Sequence, residues 1–160
     1  MTGRLHDEIK QTKPFASLEQ EAMLSVERTA AVLNHGLAEA LKPYGVTPTQ
    51  YNVLRILRGA GPQGLCRHEI RARLVAQVPD VTRLLDRLEE VGLVTRERGA
   101  ADRRLVTTRI TTQGLDVLAQ LDEPITEIHR RQLGHMDEEQ LRTLIELLAV
   151  ARSADAGSRV

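Results

Sequence analysis

Val81-Thr82-Arg83-Leu84-Leu85-Asp86-Arg87-Leu88-Glu89-Glu90-Val91-Gly92-Leu93-Val94 is the stretch from which the fold can be read. Its apolar residues Val81, Leu84, Leu85 and Leu88 fall on one stripe of a helix. Asp80, Thr82, Arg83, Asp86 and Arg87 take the opposite face. The helix is expected to begin near Val78–Pro79, and Gly92 stands where a C′ glycine ends one. Directly after it comes the one strand signal in the chain. Val94 to Arg98 reads as one arm, Gly99 to Arg103 as a turn, and Arg104 to Ile110 as the returning arm, with Leu105-Val106-Thr107-Thr108 rich in β-branched residues.

Working outward, a short helix is expected over about Arg67 to Leu74. Before it, Thr47 caps a helix that has Pro48 at its first position and Gln50 completing a capping box. That helix reaches about Arg58, where Gly59, Gly61, Pro62 and Gly64 break it. Residues 1–16 read as a polar arm. The steps Leu18, Ala22, Val26, Ala30, Leu33, Leu37, Leu41 predict a long amphipathic helix that stops before Pro43. On the other side, Thr111 or Thr112 caps a helix carrying Leu115, Leu118, Leu121, Ile125 and Ile128. Asp137 and Gln140 open a last helix with the stripe Leu141, Leu144, Ile145, Leu148, and the tail from Ser153 is expected to fray. The fold class is mostly α with a small β-hairpin.

Composition narrows the function. With 41% apolar and 28% charged residues in 160, the chain is globular rather than disordered. It has no Trp, one Phe and two Tyr, so its core is aliphatic, and it lacks the aromatic platform on which single strands stack. The formal net charge is zero, but its distribution is uneven. From Arg55 to Arg109 there are twelve Arg, no Lys and seven acids, a net of +5, which leaves −5 on the two flanks. A basic middle between acidic ends is the footprint of a polyanion binder. One cysteine, Cys66, excludes an internal disulfide framework. The absence of a signal-like or membrane-length apolar run points to the cytoplasm.

Helix, short turn, helix and hairpin is the order of a winged helix-turn-helix, whose second helix fits the major groove and meets base edges with its outer side chains. The stretch 81–94 resembles the recognition helix of MarR-family regulators, and Asp102-Arg103-Arg104 followed by Ile110-Thr111 and Gly114 resembles that family's wing. The resemblance spans roughly residues 18–152 and implies a sequence-specific, non-enzymatic transcription regulator. It implies a homodimer that represses by occupying a pseudo-palindromic operator in duplex DNA. The candidate DNA-binding residues are Thr82, Arg83 and Arg87 on the outer helix face, Gln77, Pro79 and Asp80 at its start, and Arg103 and Arg104 on the wing, Arg104 being the one the resemblance matches; Asp102 is expected to orient the wing by pairing with an Arg. Gln77 and Val78-Pro79-Asp80 depart from the family's Ser/Thr-rich start of this helix, so the operator sequence stays open. Asp80 would repel phosphate or accept from a cytosine amine.

Apolar stripes at both ends of the chain need cover, and the resemblance implies that two subunits interlock there. The division is then 1–44 as arm and dimerisation helix, 45–112 as the DNA-binding domain, and 113–160 as C-terminal dimerisation helices. A small, often aromatic effector is implied between the two parts, with His35, Tyr44 and Tyr51 as lining candidates or simply core. The five histidines show no metal-ligand spacing, and no nucleophile elbow or phosphate loop is present, so neither cofactor nor metal is expected. Cys66 before the short helix reads as a packed, semi-buried side chain rather than a redox sensor. The rival functions are an interaction module that has lost DNA binding and, more remotely, an enzyme.

Overall fold

The computed structural model describes residues 5–153, so the frayed tail expected from Ser153 lies, beyond that residue, outside the described part. The chain falls into two compact units, Met1–Ile125 and Thr126–Val160. The elements run α1 (Leu5–Glu8), α2 (Leu18–Leu41), a 3-10 turn (Lys42–Tyr44), α3 (Pro48–Ala60), β1 (Leu65–Cys66), α4 (Arg67–Arg73), α5 (Val81–Glu90), β2 (Val94–Arg98), β3 (Val106–Ile110), α6 (Thr112–Leu133) and α7 (Glu138–Ser153).

The expected helices are present and their ends have identifiable causes. Thr47 and Gln50 form the reciprocal cap of α3, at 3.2 and 2.9 Å. Thr111 Oγ1 accepts the Gly114 N–H at 3.0 Å and donates to the Gly92 carbonyl at 2.7 Å, so one hydroxyl joins the end of α5 to the start of α6. Asp137 and Gln140 cap α7 reciprocally at 2.8 and 3.0 Å. Several readings need correction: the returning strand begins at Val106, so Arg104 and Leu105 lie in the turn, and Gly59 lies inside α3 rather than breaking it. The polar arm contains the short helix α1, tied to α2 by an Arg28–Glu8 ion pair of 3.7 Å and by burial of Leu5. The helix α5 starts at Val81 and not near Val78–Pro79. Asp80 caps it by accepting the Arg83 N–H at 2.9 Å, a bond that a short carboxylate makes better than Gln77 can. A third strand, β1, is also present. Two residues are too few to carry a periodic signal, and only pairing with β3 (Leu65 with Thr108, Cys66 with Thr107) makes it a strand.

The sheet order is β1-β3-β2, antiparallel throughout. The core of the first unit is aliphatic: Leu41, Leu54, Leu57, Ile70, Leu85, Leu88, Leu118 and Leu121 are all essentially inaccessible. Burial of such side chains contributes about 1.5–3 kcal/mol each. By contrast α2 buries only Leu41, and α7 buries none of its residues. Leu18 is 81% exposed, Met23 59%, Ile145 64% and Val150 68%.

Two glycines allow close approaches. A Cβ on Gly114 would lie 2.4 Å from the Leu93 carbonyl oxygen and 2.7 Å from Ile110 Cγ1. Gly64 has φ +69°, and a Cβ there would meet the Thr108 carbonyl oxygen at 2.4 Å. Gly114→Ala should therefore push the start of α6 off Leu93 and off Ile110 at the end of β3, and cost about 1–3 kcal/mol in urea unfolding. Thr108, opposite Leu65 and Arg96 in the sheet, is fully buried, and its hydroxyl has no hydrogen-bond partner among the described residues. Thr108→Val removes that desolvated hydroxyl at nearly constant volume. It is expected to raise stability by about 1 kcal/mol, and a fall of that size in the same measurement would contradict this account.

Candidate nucleic-acid interface

Burial of Val81, Leu85 and Leu88 turns Thr82, Arg83 and Arg87 outward, and all three are exposed. Leu84 is only half-buried. Neither Arg83 nor Arg87 spends its guanidinium on a carboxylate among the described residues, so both are free to meet an anion. Thr82 Oγ1 accepts from Arg67 Nη1 at 3.0 Å, which ties the first residue of α4 to the first turn of α5. The loop between these helices, with Gln77, Pro79 and Asp80 exposed on it, is anchored where Asn52 Oδ1 accepts the Val75 N–H at 3.0 Å. Asp80 is committed to capping, and its carboxylate offsets the orphan N–H groups at that helix end.

Asp86, placed on the outer face by its spacing, turns sideways. Arg96 Nη2 donates to Asp86 Oδ1 at 2.6 Å and to Glu89 Oε2 at 2.6 Å. The Glu89 carboxylate also accepts Arg96 Nε at 2.9 Å and the Arg96 backbone N–H at 3.1 Å. These bonds, Glu89's first, hold the guanidinium proton more firmly than usual against the opposing effect of burial.

The wing turn is built by Asp102. Its carboxylate accepts the Arg104 backbone N–H at 2.9 Å, its carbonyl accepts the Leu105 N–H at 3.1 Å, and Gly99 N–H reaches the Leu105 carbonyl at 2.8 Å. Asp102 shapes the wing through the backbone, and no guanidinium pairs with it among the described residues. Arg103 and Arg104 are exposed, and neither guanidinium pairs with a carboxylate among the described residues. At the wing's root, Arg109 donates to Glu97 Oε2 at 2.6 Å and to the Pro62 carbonyl at 2.9 Å. Thr82 and Arg104, expected from sequence on separate elements, line one cavity of about 410 Å³ together with Cys66, Arg67, Arg96 and Thr108.

His35, Tyr44 and Tyr51 are not gathered there. His35 is exposed on α2, Tyr44 is half-buried in the 3-10 turn, and Tyr51 is buried in α3 under the Arg55 guanidinium, 5.9 Å from its ring centre. Burial pushes the Tyr51 hydroxyl above its ordinary pKa. Cys66 is half-buried and caps α4 together with Glu69, whose carboxylate accepts the Cys66 N–H at 2.8 Å. That backbone bond, and next the thiol, hold the Glu69 carboxyl below its usual range. Among the described residues no cluster of His, Cys, Asp and Glu could hold a metal, and no helix is long and apolar enough to cross a membrane.

Sequence reasoning missed Arg67 and Arg96. Nothing local marks Arg67, whose partner lies fifteen positions away. Arg96 did leave a signal. It stands two residues after Val94, on the strand face that Val94 buries, where an Arg requires a carboxylate partner.

The arrangement has counterparts among known proteins. Residues 44–105 match a model of the MarR family. The uncharacterized HTH-type transcriptional regulator YkoM of Bacillus subtilis is 33% identical over 109 residues, which are 65% of this chain and 69% of that protein. A crystal structure of a MarR transcription factor from Planctomyces limnophilus is similar at 40% identity and a TM-score of 0.67, over 86% of this chain and 99% of that one. A mutant MarR from E. coli, crystallised in complex with operator DNA, shares the fold with a TM-score of 0.74 at 24% identity, over 93% of this chain and 99% of the other.

Proposed function

The chain belongs to the MarR family of transcription regulators, and from that premise we propose that it is a ligand-responsive repressor that binds a pseudo-palindromic operator as a homodimer. The observation that carries the reading is the set of unpaired cations on two adjoining elements: Arg83 and Arg87 on the outer face of α5, and Arg103 and Arg104 on the wing. Free guanidinium groups on a helix narrow enough for the major groove suit bidentate bonds to guanine and contacts to phosphate. Arg104 at the hairpin suits a narrow minor groove, whose negative potential attracts guanidinium. The operator complex of the E. coli protein, whose fold this chain shares, supports the same use of the fold.

The exposed aliphatic residues of α2 and α7 support the homodimer, since a lone chain would leave Leu18, Met23, Ile145, Leu147 and Val150 in water. Two copies related by a two-fold axis would present two recognition helices to successive major grooves. An effector acts only if it binds the DNA-competent and incompetent spacings with different affinity. A small aromatic molecule is the class proposed. The DNA binding of BpsR from Bordetella bronchiseptica, which shares this fold, is regulated by 6-hydroxynicotinic acid.

Sequencing of the genomic fragments that the purified protein retains should return a pseudo-palindrome, and retention of no duplex at low salt would refute the reading. Sedimentation at micromolar concentration should give twice 17.8 kDa, with a folded monomer as the contrary result. On the recovered operator, Arg83→Ala should cost about 1–3 kcal/mol and relax preference at one base position. A uniform loss over all sequences would make Arg83 a phosphate contact instead. Arg104→Ala should lower affinity strongly with dimerisation intact, and flatten log K against log salt by roughly one unit.

A further inference from the structure

Arg96 holds the recognition helix in two ways at once. Its guanidinium spans Asp86 and Glu89, and its backbone N–H donates to the same Glu89 carboxylate. An exposed ion pair contributes little, because water screens it and two flexible chains must be ordered. Here the conditions differ. The Arg96 side chain is only 21% exposed, the fork meets two carboxylates one helical turn apart, and strand pairing with Thr108 already fixes the backbone on which Arg96 stands.

The charge balance of α5 gives this contact a second consequence. Val81–Glu90 carries three acids, Asp86, Glu89 and Glu90, against two Arg, Arg83 and Arg87. Asp86 directly precedes Arg87 and follows Arg83 by three positions, so it shares a neighbourhood with the side chains offered to DNA. Left unpaired, Asp86 and Glu89 would repel any phosphate that Arg83 or Arg87 draws within the Debye length of about 8 Å, where salt screens such repulsion least.

We propose that Arg96 is a positioning residue for DNA recognition: it locks the wing to the recognition helix and cancels the two carboxylates of that helix that would otherwise face the phosphate backbone. The proposal rests on the DNA-binding reading above. It adds a residue that touches no DNA, and it explains why a helix with more acids than bases can approach a polyanion. Lysine could not replace it in full, since one ammonium could meet both carboxylates as Nη2 does but has no counterpart of the Nε–H that also donates to Glu89.

The test uses the full chain. Arg96→Gln keeps a polar side chain but leaves Asp86 and Glu89 charged. It should bind operator at least about tenfold more weakly, with faster amide hydrogen exchange in β2 and in the turn at 99–105, and with unchanged exchange in α6. The triple variant Arg96→Gln, Asp86→Asn, Glu89→Gln removes every charge of the cluster and should recover most of the lost affinity. A merely structural prop would recover affinity and melting temperature together, whereas recovery of affinity beyond that of melting temperature marks the electrostatic role. Wild-type affinity in Arg96→Gln would overturn the proposal. So would a triple variant that binds no better than Arg96→Gln at the same melting temperature. Should Arg96→Gln not fold, Arg96→Lys takes its place, with an intermediate loss expected and wild-type affinity as the contrary result. If the wild type itself retains no duplex, the DNA-binding reading and the electrostatic half of the proposal fall together, and hydrogen exchange then decides whether Arg96 holds the wing.

Discussion

Burial of Val81, Leu85 and Leu88 sets the rotation of α5 about its own axis, and the surface chemistry of the molecule follows from that rotation. A helix advances about 100° per residue, so a slip by one position would carry the three side chains away from the core and Arg83 toward it. Each buried aliphatic side chain contributes about 1.5–3 kcal/mol, whereas an exposed cation's contacts contribute a fraction of that. The apolar face therefore decides, and Thr82, Arg83 and Arg87 point outward as its consequence. The N-terminal end is held by Asp80 and Arg67, and the C-terminal end by Gly92 and Thr111. Between them these contacts leave the helix little freedom to turn.

The hairpin depends on the same helix. Val94 is buried at its base, Arg96 pairs with α5, and Arg109 binds Glu97 across the strands and the Pro62 carbonyl beyond them. Beyond this root the hairpin makes its own geometry through Asp102. Cations committed to structure (Arg96, Arg109, Arg58 with Asp122) are thereby separated from cations left for a partner (Arg83, Arg87, Arg103, Arg104). A net charge of zero conceals this division entirely. Twelve arginines in the middle segment describe a polyanion binder only once those consumed internally are set aside.

The helices α2 and α7 follow the opposite rule. Their apolar residues are numerous yet exposed, because helices of 24 and 16 residues present more apolar surface than the described chain covers. The hydrophobic effect does not distinguish surface buried within a chain from surface buried between chains. Periodicity alone makes these two helices read like core helices; the family resemblance pointed to a second subunit as their cover, and the solvent accessibility of Leu18, Met23, Ile145 and Val150 is the structural counterpart of that reading.

By itself the sequence determined the order of the six longer helices and the hairpin, the caps of α3, α6 and α7, and the outward face of α5, because each is a local property: a periodicity, a side-chain oxygen three residues before an amide, a glycine at a helix end. It also carried the motifs at 81–94 and 102–114 that name the family. Tertiary structure alone decided which carboxylates and guanidinium groups meet. Arg96 with Glu89, Arg67 with Thr82, and Arg58 with Asp122 are separated by 7, 15 and 64 positions, and no local period encodes such distances. The same holds for β1, which exists only because β3 lies beside it, and for Asp80, which caps α5 where the sequence pointed to Pro79. Long-range pairing depends on where the aliphatic core brings the elements together, so the roles of charged residues, paired or free, appear only after the core has formed.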